Sequence, residues 1–239
     1  MRHWTPYCGE APVPDGWSAH WNFAPELIIG LLILSLSAYV FREKLSMRPA
    51  ASAMALVGFI FVTPFCALGS ALFTVRIIHD VLLAVLLAPL AMAAIRLHRV
   101  NIPGSLGHWT FIHALTFWFW HAPPIYSAVM SSDLVFWAMQ FAITGTAAVW
   151  WAKVVRSPAP GAAAALLATT VAMGALGALL TFARSALYEP HWLTAQSWGL
   201  SPLEDQQIAG IIMWAPASLI YLIAALVMLY RSMGTGRVA

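Results

Sequence analysis

The stretch FTVRIIHDVLLAVLLAPLAMAAI, residues 73–95, decides the fold. A bilayer hydrocarbon core of ~30 Å is crossed by about 20 apolar residues in a helix, and this run is long enough to do so. Arg96 and Arg99 follow it at once, which is typical of a span that ends in a basic loop. Its only ionisable residues, Arg76, His79 and Asp80, lie close to its beginning.

Similar apolar runs flank this stretch on both sides. Of the 239 residues, 61% are hydrophobic and only 9% charged, whereas in soluble domains about 25% are charged. The runs are continuous and do not alternate with period two, which favours helices over a membrane barrel. We therefore predict an all-α polytopic membrane protein, a seven-helix bundle over residues 25–231, with an outer segment at 1–24 and a cytoplasmic tail at 232–239. The other six runs are 25–41, 50–69, 109–128, 132–152, 161–184 and 207–230.

The charges sort by loop. Nine of the twelve basic residues fall in the loops after runs one, three and five and in the tail, against one acid, Glu43: Arg42, Lys44, Arg48, Arg96, Arg99, Lys153, Arg156, Arg231 and Arg237. By the positive-inside rule the N-terminus is outside and the C-terminus cytoplasmic, which needs an odd number of spans. The net charge of +3 therefore reflects topology and gives no reason to expect nucleic acid as a partner.

Three potential soft-metal ligands fall at one depth. By helical rise His79 lies ~9 Å, His121 ~12 Å and Met213 ~9 Å inside the outer boundary. Imidazole and thioether suit copper better than magnesium or calcium, which prefer oxygen. The alternative is that the histidines bond to neighbouring helices and the methionine fills a packing gap. Intramembrane ionisable residues are rare enough to favour function for the histidines.

Two local patterns surround these residues. Arg76, His79 and Asp80 share one helix face at i, i+3 and i+4, so Arg76 and Asp80 can neutralise each other and Asp80 can orient His79. An ion pair that only locks the helix to its neighbours is the structural alternative. The sequence WHAPPIY, residues 120–126, must kink or end its helix beside His121, because proline cannot continue a helix. Whether Cys8 and Cys66 pair is left open by the sequence.

Several motifs carry a resemblance to a known family. They are residues 179–188, residues 198–210 with their Asp205-Gln206-Gln207 sequence, Met213 to Pro216, the 120–126 segment, and residues 70–73 leading to His79. Together they resemble the multi-span CtaG-type cytochrome c oxidase assembly proteins over about residues 70–230. The resemblance implies a multi-pass protein of the bacterial inner membrane that matures haem–copper oxidase and handles copper at its outer side. It also implies that Tyr126, Asp205 and Gln206, with Arg76 and Asp80, support the site or contact a partner.

The chain departs from the family pattern at two histidines. Arg76 stands three residues before His79 where the family commonly has histidine, and Gln140 stands near the family's helix-five histidine. Either copper is bound by the reduced set His79, His121 and Met213, or the scaffold and the surface for oxidase subunits remain without the metal.

The first hypothesis is thus an assembly protein without catalytic activity. The alternative is a membrane oxidoreductase that binds haem or quinone through His79 and His121. A retinal protein is excluded because the only lysines, Lys44 and Lys153, lie in predicted loops and a Schiff base needs one within the bundle.

Overall fold

The computed structural model describes residues 6–235, so the first five residues of the predicted outer segment and the last four of the predicted tail lie outside the described part. Within it the chain is helical and has no strand. The helices are α1 (Pro25–Val40), α2 (Met47–Val62), α3 (Phe65–Ala71), α4 (Phe73–Leu82), α5 (Ala88–Ala94), α6 (Leu106–Trp120), α7 (Pro123–Val129), α8 (Asp133–Arg156), α9 (Ala159–Thr181), α10 (Pro202–Trp214) and α11 (Pro216–Thr235).

Four helical stretches are long and apolar enough to cross a membrane: Phe73–Ala94, Asp133–Arg156, Ala159–Thr181 and Pro202–Met233. The pair α2 and α3, bent by 45°, would make a fifth. α1 is a shorter apolar helix of 16 residues. The membrane-helix character is therefore clear, whereas the seven spans and their orientation stay predictions.

Proline decides where two of the helices break. α6 ends at Trp120 and α7 begins at Pro123, so the predicted fourth run is two helices, as its proline pair requires. The predicted break beside His121 is therefore confirmed. At the start of α10, Ser201 and Glu204 form a capping box, with Pro202 at the first helical position.

α4 and α5 are joined by a π-helical segment, Leu83–Leu87. Together the three pieces make one continuous helical stretch from Phe73 to Ala94. A π segment carries one residue more per turn than the α-helix around it, and such segments are frequent at functional sites. Arg76, His79 and Asp80 lie on the N-terminal side of this segment.

α9 lies centrally, packed against α6, α8, α10 and α11, as its small residues predict. A Cβ added at Gly177 would lie 2.7 Å from the Gly210 carbonyl oxygen. Only glycine therefore allows α9 and α10 to approach this closely. On the outside of the bundle, large apolar side chains such as Leu32, Phe111 and Val171 are exposed, as expected for a surface that faces lipid.

Basic side chains hold the loops at one end of the bundle. Arg96 Nε donates to Ser46 Oγ at 3.3 Å, and Arg156 donates to the Val100 carbonyl at 2.6 Å. Lys153 Nζ donates to the carbonyls of Ile102 and Gly104. The loops that the sequence assigns to one side thus meet at one end of the molecule.

The N-terminal segment is fixed at the opposite end. Cys8 and Cys66 form a disulfide, which ties residues 6–24 to α3 and answers the question that the sequence leaves open. The Tyr7 ring stacks on Phe136 of α8, and the Trp198 indole donates to the Pro12 carbonyl at 2.9 Å. Arg76 lies at this end as well, with its Nη2 3.9 Å from Cys8 Sγ.

Candidate functional site

Asp205 is the N-terminal cap of α4, supplied from a distant part of the chain. Its Oδ2 accepts from the Phe73 amide at 2.7 Å and its Oδ1 from the Thr74 amide at 3.0 Å. The Thr74 hydroxyl donates back to the Asp205 carbonyl at 2.9 Å. The first amides of a helix have no partner within the helix and carry its positive dipole end, so a carboxylate there is stabilising. Asp205 thereby fixes α10 against α4 and holds the N-terminal end of α4 in place.

Asp80 of α4 lies between two histidines, His79 of its own helix and His121 at the end of α6. His79 Nδ1 lies 3.3 Å from Asp80 Oδ1, and His121 Nε2 lies 3.6 Å from Asp80 Oδ2. All three side chains are buried, with at most 1% of each residue exposed. The two histidines that the sequence places at one depth therefore meet the same carboxylate. The expected contact of His79 with Asp80 is present.

The hydrogen bonds fix which imidazole nitrogens carry hydrogen. His121 Nδ1 lies 2.7 Å from the Phe117 carbonyl oxygen, which can only accept, so this nitrogen is the donor. The same argument makes His79 Nδ1 the donor to Asp80. In neutral imidazoles both Nε2 atoms then carry lone pairs, and neither has a hydrogen-bond partner in the described part of the chain. Metal-binding histidines commonly have this arrangement, with the far nitrogen donating to a carboxylate or a carbonyl.

His121 Nε2 and Asp80 Oδ2 are two acceptors that face each other. Buried acceptors without a donor are costly, because each loses its bonds to water. A positive centre between them, either a proton on His121 or a metal ion, would satisfy both.

Arg76 does not pair with Asp80. It is fully buried, yet among residues 6–235 no carboxylate oxygen lies within 4.0 Å of its guanidinium. Its Cζ lies 5.0 Å from the centre of the Phe136 ring, and its Nη2 lies 3.9 Å from Cys8 Sγ. The neutralising pair considered from the sequence is therefore absent, because both Asp80 oxygens face histidines instead.

A loop between α9 and α10 covers the histidines. The Tyr188 hydroxyl donates to the His121 carbonyl at 2.7 Å, and the Tyr126 hydroxyl is hydrogen-bonded to His191 Nε2 at 2.7 Å. Phe73 stacks on Tyr188 with ring centres 3.9 Å apart. Burial lowers the pKa of His191 to about 3 and raises the pKa of Tyr188 above its usual value. The cover is thus built from neutral polar groups.

Gln206 fastens the same loop to α9. Its Oε1 accepts from the Leu187 amide at 2.6 Å, and its Nε2 reaches the carbonyls of Leu180 and Ser185 at 3.3 and 3.4 Å. Gln206 is 1% exposed and Asp205 is 0% exposed. Both residues therefore act inside the chain, where they position the cover and α4.

Met213 and Gln140 have no hydrogen bond to the Asp80 cluster among the described residues. Met213 is fully buried in α10, and among the described residues no hydrogen bond links its sulfur to either imidazole. Gln140 is 2% exposed, and its Nε2 donates to the Phe136 carbonyl at 3.2 Å, so it closes on its own helix. Within residues 6–235 no set of three or more His, Cys, Asp and Glu side chains is arranged to hold a metal ion. The set of His79, His121 and Met213 stays a prediction.

Sequence reasoning gives no role to Tyr188 or His191 in covering the histidines. A sequence pattern of neighbouring residues does not reveal that a loop tyrosine donates to a carbonyl at the end of another helix. The one signal for Tyr188 in the sequence is its position within the 179–188 motif. The cover is a consequence of how α9 and α10 pack.

The fold and the site define a class of protein: a polytopic α-helical membrane protein with a buried polar cluster at the end that holds its N-terminal segment. A family model described as cytochrome c oxidase caa3 assembly factor matches residues 108–235, more than half of the chain. The chain belongs to this family. No curated protein and no solved structure matches the chain.

Proposed function

We propose that this protein is a seven-span assembly factor of the bacterial inner membrane that receives Cu(I) or docks an oxidase subunit at its outer face. Copper is cargo in this proposal, held by His79 and His121 with Met213 as a soft third ligand, and passed on by ligand exchange. No covalent chemistry is required. The family supplies the link to cytochrome c oxidase.

Two observations support the copper proposal: among the described residues the Nε2 atoms of His79 and His121 have no hydrogen-bond partner, and that of His121 lies 3.6 Å from Asp80 Oδ2. Their opposite nitrogens are occupied by a carboxylate and a carbonyl, which orients the rings as in known metal sites. The Asp80 carboxylate supplies negative charge for a cation in an otherwise apolar interior. Thioether sulfur is a ligand that selects Cu(I).

Copper content of the purified protein tests this proposal. We expect about one equivalent after purification with Cu(I), and a loss of most of it in His79→Ala and His121→Ala. His113→Ala is the matched control, because His113 is also buried on α6 but, among the described residues, has no carboxylate within 4.0 Å. Copper well below one equivalent in the wild type, or copper unchanged in both variants, would refute copper handling.

The docking part has a separate test in cells. Deletion of the gene should lower the absorbance of the oxidase haem and the oxidase activity. A copy with His79→Ala should restore both if the protein only docks a subunit. Normal oxidase in the deletion strain would refute the assembly role. The competing oxidoreductase hypothesis requires a cofactor, so a haem absorption band in the purified protein would favour it.

The orientation can be tested with fusions after residue 239. Because the basic loops meet at one end, we expect the C-terminus in the cytoplasm. A fused fluorescent protein should therefore be bright and a fused alkaline phosphatase inactive. The opposite pattern would place the Asp80 cluster on the cytoplasmic side and overturn the proposal.

A further inference from the structure

The environment of Arg76 is unusual for a buried cation. Its guanidinium is fully buried, and within residues 6–235 Nε and Nη1 have no hydrogen-bond partner. The partner of the remaining nitrogen, Nη2, is Cys8 Sγ at 3.9 Å, and the Phe136 ring lies beneath Cζ at 5.0 Å. A buried charge without a counter-charge is strongly destabilising, so this arrangement needs a compensating anion.

The neighbouring carboxylates are committed elsewhere. Asp80 faces two imidazoles, and both oxygens of Asp205 accept backbone amides. Arg76 also lies in the first turns of α4, where the positive end of the helix dipole disfavours a cation. The positive charge of Arg76 is therefore not balanced by a carboxylate of the described residues, and the group beside it is the disulfide sulfur of Cys8.

We propose that Cys8–Cys66 is a redox-active disulfide, which exchanges with a protein dithiol at this end of the molecule and leaves Cys8 as a thiolate paired with Arg76. Thiolates are favoured next to arginine, and a low-energy leaving thiolate speeds exchange. The inference goes beyond the proposed assembly role and does not depend on copper.

The exchange balances in two steps. A thiolate of the dithiol attacks Cys66 Sγ, the Cys8–Cys66 bond breaks, and the electron pair leaves on Cys8 Sγ beside Arg76. The second thiol of the dithiol, as thiolate, then attacks the first sulfur of the dithiol, which is bonded to Cys66 in the mixed disulfide. Cys66 is released and takes up a proton. Two electrons pass from the dithiol to the chain, and the dithiol becomes a disulfide.

Exchange requires local opening of the segment that contains Cys8. Both cysteines are buried, at 5% and 1% exposure. Cys8 lies in a non-helical part of the N-terminal segment. Ring contacts of the adjacent Tyr7 with Phe136 and Trp137 hold this part against α8. Local opening of such a segment costs much less than unfolding of a helix core.

The equilibrium with dithiothreitol tests the proposal in the full-length protein in detergent. Thiols are counted by a maleimide gel shift over a range of reduced to oxidised dithiothreitol. We expect Arg76→Met to shift the equilibrium toward the disulfide by about tenfold or more, which is about 30 mV for a two-electron couple. Arg184→Met, which removes an exposed arginine of the loop between α9 and α10, should leave it within about threefold of wild type. A shift below about threefold in Arg76→Met, or an equal shift in both variants, would overturn the proposal.

A second measurement needs no change at Arg76. In Cys66→Ser the Cys8 thiol is free, and its alkylation rate is followed against pH in the folded protein and in the same chain unfolded in denaturant. Half-maximal rate at a lower pH in the folded protein would support the thiolate. The same or a higher pH would refute it. Neither measurement involves copper or oxidase, so their failure is separate from failure of the assembly role.

Discussion

Asp205→Ala is the sharpest test of the architecture, because one carboxylate joins α10 to α4. The substitution removes the acceptors of two backbone amides, the buried one of Phe73 and the partly buried one of Thr74. A hydrogen bond to a charged group contributes about 1.5–3 kcal/mol, and each amide left without a partner is costly as well. We expect the free energy of unfolding to fall by about 3–5 kcal/mol, since such losses are not fully additive.

Chemical unfolding in mixed micelles measures this change. Asp205→Asn keeps one acceptor oxygen and should lose about half as much. Glu204→Gln is the control: its carboxylate bonds only the exposed Ser201 amide at 2.8 Å, so the change should stay below about 1 kcal/mol. A loss below about 1 kcal/mol in Asp205→Ala, or equal losses at both positions, would refute the capping role.

Three further outcomes are expected. Gly210→Ala should lower the melting temperature and the yield of folded protein, because the added Cβ would meet backbone atoms of α9 at 2.6–2.7 Å; Gly145→Ala, with nothing within 4 Å, should not. Tyr126→Phe should lower the free energy of unfolding by about 1–3 kcal/mol by leaving His191 without its partner, whereas Tyr230→Phe, on an exposed residue, should change it little. Burial lowers the pKa of His191 from 6.5 to about 3, so the neutral form stabilises the fold above about pH 6.5 and this contribution is lost as the pH falls toward 3. His191→Gln should therefore flatten this part of the curve of unfolding free energy against pH, and an unchanged slope would contradict the expectation.

The local features of the fold were predictable from the sequence. The helix break at Pro123 and the cap at Ser201 follow from the chemistry of a few consecutive residues. The close approach of α9 and α10 follows from small residues at helical spacing. The number of spans does not follow in the same way, because α1 is short and the fourth run is divided at His121.

The site was predictable only in part. Helical rise brings His79 and His121 to one depth, and the structure places both on Asp80. Helical spacing alone predicts an ion pair of Arg76 with Asp80, but in the structure Asp80 faces His79 and His121 instead. The cap formed by Asp205 joins residues more than 130 positions apart, which no pattern of neighbouring residues reveals.

The π segment at Leu83–Leu87 has a consequence for how this chain can be altered. Each residue of an α-helix turns the chain by about 100°, so one residue more or less rotates everything beyond it by that angle. A π segment takes up its extra residue within one turn, so deleting a single residue here would convert it to regular helix and leave His79 and Asp80 in nearly the same register with α5. A deletion in the α-helical parts on either side would instead rotate one part against the other by about 100°, so a chimera with a relative can lose one residue only within Leu83–Leu87.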